Sequence, residues 1–334
     1  MVSIEAQAQA KRTAAERRAQ WWTPVIKARE TGLIVIILTL FTVMSFISPY
    51  FLTVDNLRAM SMAFAVESIV VVGMTILLIS GGIDLSVGSV TALAMVVAGW
   101  LFLNGVDPWA AAAIAIGVTT LVGMFMGFMT TVVGLHHFIV SLGVMVIARG
   151  ICLLATGGRP LGLFSLPPEF KFIGQGSVYG IPLVLIIFVV VVVSFDLLLR
   201  RTTAFRKVFY TGSNPKAAAY SGIRVGRVIF ATTTLCSMLC GVAGVIYMAR
   251  FGSAQPSFGV GMELNVIAAA VIGGASLSGG VGTIFGAILG AVLLSVVSSS
   301  LSLLNVSVYW QDIIKGSILL TAVLFDHYLV KRRR

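Results

Sequence analysis

From residue 32 to residue 330 the chain is a succession of ten apolar stretches, most of them joined by only a few residues. They run over 32–48, 60–80, 85–103, 109–133, 137–156, 181–199, 228–249, 263–277, 281–304 and 311–330. A helix needs roughly 20 mostly apolar residues to cross about 30 Å of hydrocarbon. In lipid every backbone N–H and C=O must also be satisfied within the protein, which leaves helices or closed barrels. Runs of this length select helices. Of the 334 residues, 58% are hydrophobic and 10% charged, whereas a soluble domain carries about 25% charged residues. The expectation is an all-α, polytopic integral membrane protein of about ten transmembrane helices. Residues 1–30 form a basic N-terminal segment, and 31–334 form one transmembrane domain. The eighth stretch is short and could be re-entrant.

The net charge of +11 does not point to nucleic acid, because of where the charge sits. Residues 1–30 carry six Lys/Arg, 200–227 carry seven and no acid, and Lys331 to Arg334 add four, so 17 of the 23 basic residues lie in three places beside apolar runs. Positive residues concentrate in short cytoplasmic segments. All three segments read as cytoplasmic, with six spans before the basic loop and four after it. Both termini are then cytoplasmic. The first apolar run has no small-residue cleavage site after it, so it reads as an uncleaved span. Cys152, Cys236 and Cys240 all lie in apolar runs and read as buried small hydrophobes. The two longer outer segments, 157–180 and 250–262, read as ordered turns from their Pro and Gly content.

One octapeptide occurs twice. Gly81-Gly82-Ile83-Asp84-Leu85-Ser86-Val87-Gly88 returns as Gly273-Gly274-Ala275-Ser276-Leu277-Ser278-Gly279-Gly280, with five of eight positions identical. Each copy ends one apolar run and begins another. Such breaks are costly in lipid and read as hinges, or as close helix crossings lining a path. Gly282, Gly286 and Gly290 form a ridge at four-residue spacing, and Gly123 and Gly127 form a shorter one. In lipid, close backbone packing takes the place of a hydrophobic force between helices. The ionisable residues in or near the spans are Glu67, Asp84, Arg149, Asp196, Glu263, Asp312 and Lys315. A charge at a span centre costs at least about 2.5–3.5 kcal/mol on insertion scales. Asp196 reads as interfacial, and Asp312 and Lys315 as an i,i+3 pair. Asp84 reads as a helix N-cap or a functional carboxylate, and Glu263 opens the eighth stretch.

Enzyme chemistry has little support. No Gly-Lys dipeptide occurs, so the phosphate-binding Gly-x-x-x-x-Gly-Lys-Ser/Thr loop is excluded. His136-His137 is a poor ligand pair, because adjacent residues point about 100° apart on a helix. No catalytic set and no metal site is expected, and His327 stands alone near the end of the last run. The loop 200–227 is basic and small-faced. Asn214-Pro215 starts a turn, Ala217 to Ala219 favour a short helix, and Gly212 and Gly222 bracket it. Its small residues suit a groove on a partner better than a lipid surface. An alternative remains open at this point: an ion-coupled secondary transporter with Asp84 or Glu263 as the proton or sodium site, since paired broken helices suit that class as well.

Several stretches together carry a family likeness. They are Gly73-Met74-Thr75, Ser80 through Ser89, Arg149-Gly150, Thr156-Gly157-Gly158, Gly212-Ser213-Asn214, Ala217-Ala218, Ser221-Gly222-Ile223, Ser253-Ala254-Gln255-Pro256, Glu263-Leu264, Ile267-Ala268-Ala269 and Ile272 through Gly280. Over about 30–330 the chain resembles the membrane permease subunit of ribose-type ABC sugar importers. The resemblance implies a multi-pass protein of the bacterial inner membrane that moves a monosaccharide or related small polyol. It implies no cofactor on this chain, because ATP is bound by a separate cytoplasmic ATPase. That ATPase would dock on the loop carrying Phe209, Gly212, Asn214, Ala217, Ala218, Gly222 and Ile223. A periplasmic sugar-binding protein and a second permease copy or paralogue complete the implied partners. The implied hinge or translocation path comprises Gly81, Gly82, Asp84, Gly88, Glu263, Asn265, Gly273, Gly274, Gly279 and Gly280. The chain departs from the family pattern at Asn265, usually Asp, and at Ser298-Ser299-Ser300-Leu301, usually Asn-Asn-Gly-Leu. It departs again at Phe205-Arg206, usually Gly-Arg, and His136-His137 falls where Pro is frequent.

Overall fold

A computed structural model describes residues 29–333, with side chains from Glu30 to Leu324. Apart from its last two residues, the basic N-terminal segment lies outside the described residues, as do Arg334 and the side chains of His327 and the Lys331–Arg333 run.

The chain is helical almost throughout. In order come α1 (Arg29–Ile47), α2 (Val54–Ile79), α3 (Val87–Leu103), α4 (Pro108–Thr131), α5 (His137–Thr156), α6 (Pro168–Gln175), α7 (Leu183–Arg201), α8 (Thr203–Ser213), α9 (Pro215–Tyr220), α10 (Val225–Phe251), α11 (Met262–Ile272), α12 (Ile284–Leu303) and α13 (Val308–Arg333). The helix starts follow from local chemistry. Asp107 caps α4 by accepting from the N–H groups of Trp109 and Ala110, and Pro108 fills the first helical position. Thr53 caps α2 through the N–H of Asn56.

Among the described residues, seven helices are long and apolar enough to cross a membrane: α1 (from Glu30), α2, α4, α5, α7, α10 and α12. Two shorter apolar helices are α3 and α11. The protein is therefore an all-α, multi-pass membrane protein. Helices α2 and α10 pack against each other at its centre, with α3 and α4 around them. Outward faces carry exposed Leu38, Leu121, Val146, Leu154, Val190 and Leu320, an apolar belt suited to lipid.

The glycine ridges pack backbones closely, except that Gly282 lies before α12 and meets Ile79 and Ala275, which leaves Gly286 and Gly290 as the ridge of that helix. A Cβ on Gly123 would lie 2.9 Å from the Cα of Thr234, and one on Gly127 would lie 3.1 Å from the Cα of Phe230, so α4 and α10 touch backbone to backbone. Gly286 meets the Gly273 backbone, and Gly290 meets that of Ala269. This seats α12 against α11. All three cysteines are buried.

Three expectations need correction. The segment 157–180 is not turns alone, because Pro168–Gln175 is the helix α6. Proline cannot continue a helix but is well suited to start one. Around it lie β1 (Leu161–Gly162) and the small hairpin of β2 (Ser177–Val178) and β3 (Ile181–Pro182). Asp312 does not pair with Lys315. Asp312 is exposed while Lys315 turns into a cavity. The apolar run 263–277 is helical only over Met262–Ile272.

At eleven residues α11 is about 16 Å long, half of the hydrocarbon thickness. The segment before it begins as a two-residue strand and continues as turns. Ser253–Ala254 (β4) pairs antiparallel with β1. Residues 255–261 then descend along α3, where Gly259 meets Gly88 backbone to backbone. Arg149 of α5 holds this segment, donating from one guanidinium nitrogen to the carbonyls of Pro256 (2.6 Å) and Phe258 (2.7 Å). Gly261, at φ +79°, turns the chain into the helix. Residues 253–272 are thus a short strand, a run of turns and a helix of half the usual length.

Candidate functional site

The two glycine breaks meet. The Gly280 N–H of the second copy donates to the Ile79 carbonyl at the end of α2, at 2.8 Å. A Cβ on Gly279 would lie 3.1 Å from the Cα of Gly81 and 2.9 Å from the carbonyl oxygen of Gly212. Gly212 sits at the end of α8. A Cβ there would overlap the Ile79 carbonyl and stand 2.5 Å from the Gly280 nitrogen. Three segments far apart in sequence therefore share one point, and each contributes a glycine because no side chain fits between the backbones.

The two copies are equivalent, with a one-residue slip. Gly81 (φ +91°) and Gly274 (φ +99°) end α2 and α11 in the same way. In each case this N–H and the next one close back on the last turn, Gly81 and Gly82 on Leu78 and Leu77, Gly274 and Ala275 on Val271 and Ala270. This is the left-handed glycine stop of a helix. The following turns keep the sequence register instead. Asp84 Oδ1 accepts from the Ser86 N–H at 2.7 Å, and Ser276 Oγ accepts from the Ser278 N–H at 3.3 Å. The first copy therefore has one more residue between helix stop and turn.

Asp84 is 0% exposed, and its Oδ1 also accepts from the Ser86 hydroxyl at 2.6 Å. It builds the turn that starts α3. His137 secures the same segment. Its Nδ1–H donates to the Ile83 carbonyl at 2.8 Å, and its Nε2 meets the Thr233 hydroxyl of α10 at 2.9 Å. Ser80 and Thr232 add a hydroxyl contact of 3.1 Å. Glu263, in the first turn of α11, lies with its carboxylate against Gly88.

The cytoplasm-assigned segment folds as two helices where the sequence points to one. α8 is capped by Thr202 and ends at the glycine junction. α9 is capped by the Asn214 side chain, which accepts from the Ala217 N–H at 3.0 Å. It ends through Gly222 (φ +81°) and the Ile223 N–H closing on Ala218. Ala217 and Tyr220 face outward, and Ala218 is buried beneath them. Phe209 packs against the core.

A second feature lies midway along α2. A cavity of about 150 Å³ is walled by Ala63, Phe64, Glu67 and Val71 of α2, with Asn265 and Ala269 of α11 on another side. Ala291, Leu294, Ser295 and Ser298 of α12 and Lys315 of α13 close it. Lys315 is within electrostatic reach of Glu67. Among the described residues, none of the five polar side chains lining it closes a hydrogen bond or ion pair within the protein. A polar group left dry and unpaired costs about 1–3 kcal/mol, and more when charged. Five converging groups of this kind define a wet or ligand-holding space.

The sequence marks Glu67 and Lys315 as intramembrane charges, and Asn265 and the serine run as departures from a family. It does not show that they converge. Ser295 went unmarked, yet Ser295, Ser298, Ser299 and Ser302 fall at helical spacing on one face of α12, a polar stripe that a helical wheel of 281–304 exposes.

These features define a class: a helical membrane protein with a polar cavity in its interior and a glycine junction tying that interior to an exposed pair of short helices. Residues 56–323 match the family model for the branched-chain amino acid transport system / permease component, and the chain belongs to that family of permeases. The ribose import permease protein RbsC of Escherichia coli (strain K12) is 36% identical over 296 residues, 88% of this chain and 92% of that protein. The D-allose transport system permease protein AlsC of the same strain is 34% identical over 302 residues (90% and 92%). The L-arabinose transport system permease protein AraH, also of that strain, is 33% identical over 303 residues (91% and 92%). No solved structure matches the chain.

Proposed function

We propose that this chain is the permease subunit of an ATP-driven importer, moving a monosaccharide or related small polyol across the bacterial inner membrane. The observation that carries the reading is the junction of Gly212 with Ile79 and Gly280. ATP is hydrolysed on a separate cytoplasmic ATPase seated on α8 and α9. Its movement reaches the end of α2 and the loop between α11 and α12 at once, because no compressible side chain lies between. The chain crosses the membrane ten times, the eighth time through a short strand, turns and a helix of half the usual length, with both termini cytoplasmic. A periplasmic binding protein delivers the solute to the outer face, and a second copy or a paralogue completes the path.

The family description names branched-chain amino acids, whereas similar permeases are named for ribose, D-allose and L-arabinose. A cavity with three neutral polar side chains beside its charge pair favours a hydroxylated solute. At Asp84, one of the carboxylates the ion-coupled alternative needs, Oδ1 is engaged by Ser86 while Oδ2 is buried without a partner, and the side chain is closed off from the surface. Reconstitution decides the question. Uptake into proteoliposomes should require the ATPase and ATP, and uptake driven by a proton or sodium gradient without them overturns the reading.

A further inference from the structure

Glu67 and Lys315 have no role in the coupling mechanism above, yet both line one cavity without a hydrogen-bonded protein partner. Glu67 lies halfway along α2, and Asn265 lies near the start of α11. Helix α2 ends at the glycine junction, and the loop that follows α11 reaches it at Gly279 and Gly280. Ser295 and Ser298 come from α12 and Lys315 from α13, so four helices each supply polar atoms to one cavity of about 150 Å³.

We infer that this cavity is an intramembrane contact site for a neutral polyhydroxylated solute of monosaccharide size. The donor and acceptor inventory supports the class. An ionised carboxylate only accepts, an ammonium only donates, and amide and hydroxyl groups do both. A row of hydroxyls answers all of them with one functional group, because each hydroxyl donates and accepts. The two charges cancel, so a neutral solute leaves neither unanswered. The ammonium and carboxylate of a free amino acid would answer Glu67 and Lys315. An aliphatic side chain would then leave Asn265, Ser295 and Ser298 unpaired. The apolar walls at Phe64, Val71 and Leu294 suit the C–H face of a sugar ring. The inference rests on the permease reading and assigns it a site.

The test uses the full transport complex and four radiolabelled probes: D-ribose, D-allose, L-arabinose and L-leucine. Glu67→Gln and Lys315→Met should each lower uptake of the transported sugar by about tenfold or more, the loss expected when a charge-assisted hydrogen bond is removed. Lys315→Arg, which keeps the donors, should retain more. Wild-type rates in both neutral variants overturn the site and leave the permease reading intact. A wild-type complex whose uptake follows an ion gradient without ATP overturns the permease reading instead.

A second measurement does not depend on removing a charge. Ser298→Cys should react with a water-soluble, membrane-impermeant thiol reagent, while the native cysteines, all buried, stay silent. The transported sugar should slow that reaction. No reaction at Ser298→Cys, a reaction unaffected by all four probes, or protection by L-leucine alone overturns the assignment.

Discussion

At the scale of single residues, the sharpest contrast lies between two glycines ten positions apart at the ends of α8 and α9. Gly222 needs its glycine only for a left-handed backbone at φ +81°, and an added Cβ there meets open space. Gly212 has no such backbone demand, but a Cβ would collide with the Ile79 carbonyl and crowd the Gly280 nitrogen. Overpacking against backbone costs about 1–3 kcal/mol and forces the junction apart. Gly212→Ala should therefore reduce ATP-driven uptake by about tenfold or more, roughly 1.4 kcal/mol. Gly222→Ala should act mainly through helix-end strain and spare most transport. Uptake per permease in the membrane, measured for both, checks this, and equal losses would mean that the contact at Gly212 is not special. The residue types at these positions were legible in the sequence, where Gly212 and Gly222 bracket a short helix. The reason for Gly212 was not, because it lies in a contact with residues 79 and 280 that no local pattern encodes.

At the scale of elements, hydropathy located the long helices well and failed where a crossing is not a helix. The run 263–277 is mostly apolar, so its pattern cannot show that Gly261 and Gly273 confine the helix to eleven residues between them. The segment before it, 253–261, satisfies its backbone by other means: pairing of β4 with β1, turn bonds from the Phe258 N–H to Gln255 and from the Met262 N–H to Gly259, and the Arg149 guanidinium. Arg149 could be named from sequence as an intramembrane charge but not assigned a partner, since the carbonyls it holds are more than a hundred residues away. The same reasoning explains α6: the prolines that read as turn residues instead start a helix. Arg149→Met should leave the Pro256 and Phe258 carbonyls unpaired, at about 1–3 kcal/mol each. Hydrogen exchange should quicken across 253–261 while the centre of α10 stays protected. Arg149→Lys should rescue only in part, because an ammonium on a flexible stem lacks the planar donor fork. Unchanged exchange in Arg149→Met would mean that 253–261 stands on the β1–β4 pairing and its own turn bonds.

At the scale of the whole molecule, α2 carries three functions in sequence. Near its start the Ser299 hydroxyl of α12 donates to the Asn56 side-chain oxygen at 3.2 Å. Near its middle Glu67 faces the cavity. At its end the Ile79 carbonyl receives Gly280. Glu67 is about 16 Å from the first tie and about 18 Å from the second at the rise of an α-helix. The cavity is thus bracketed by two polar ties between α2 and the α11–α12 unit, one at each end. A transporter of alternating access needs its central site to open to one side at a time, and two ties flanking a polar cavity are a physical means to that end. If the Asn56–Ser299 tie opens during each cycle, fixing it covalently must stop transport without touching the cavity or the junction. A disulfide between Asn56→Cys and Ser299→Cys should abolish uptake on oxidation and restore it on reduction. The buried Cys152, Cys236 and Cys240 take no part. ATP hydrolysis by the assembled complex should continue in the oxidised state, since the junction at Gly212 remains free to move. Full uptake by the oxidised, cross-linked protein would show that α2 and α12 travel as one body and that the path opens elsewhere.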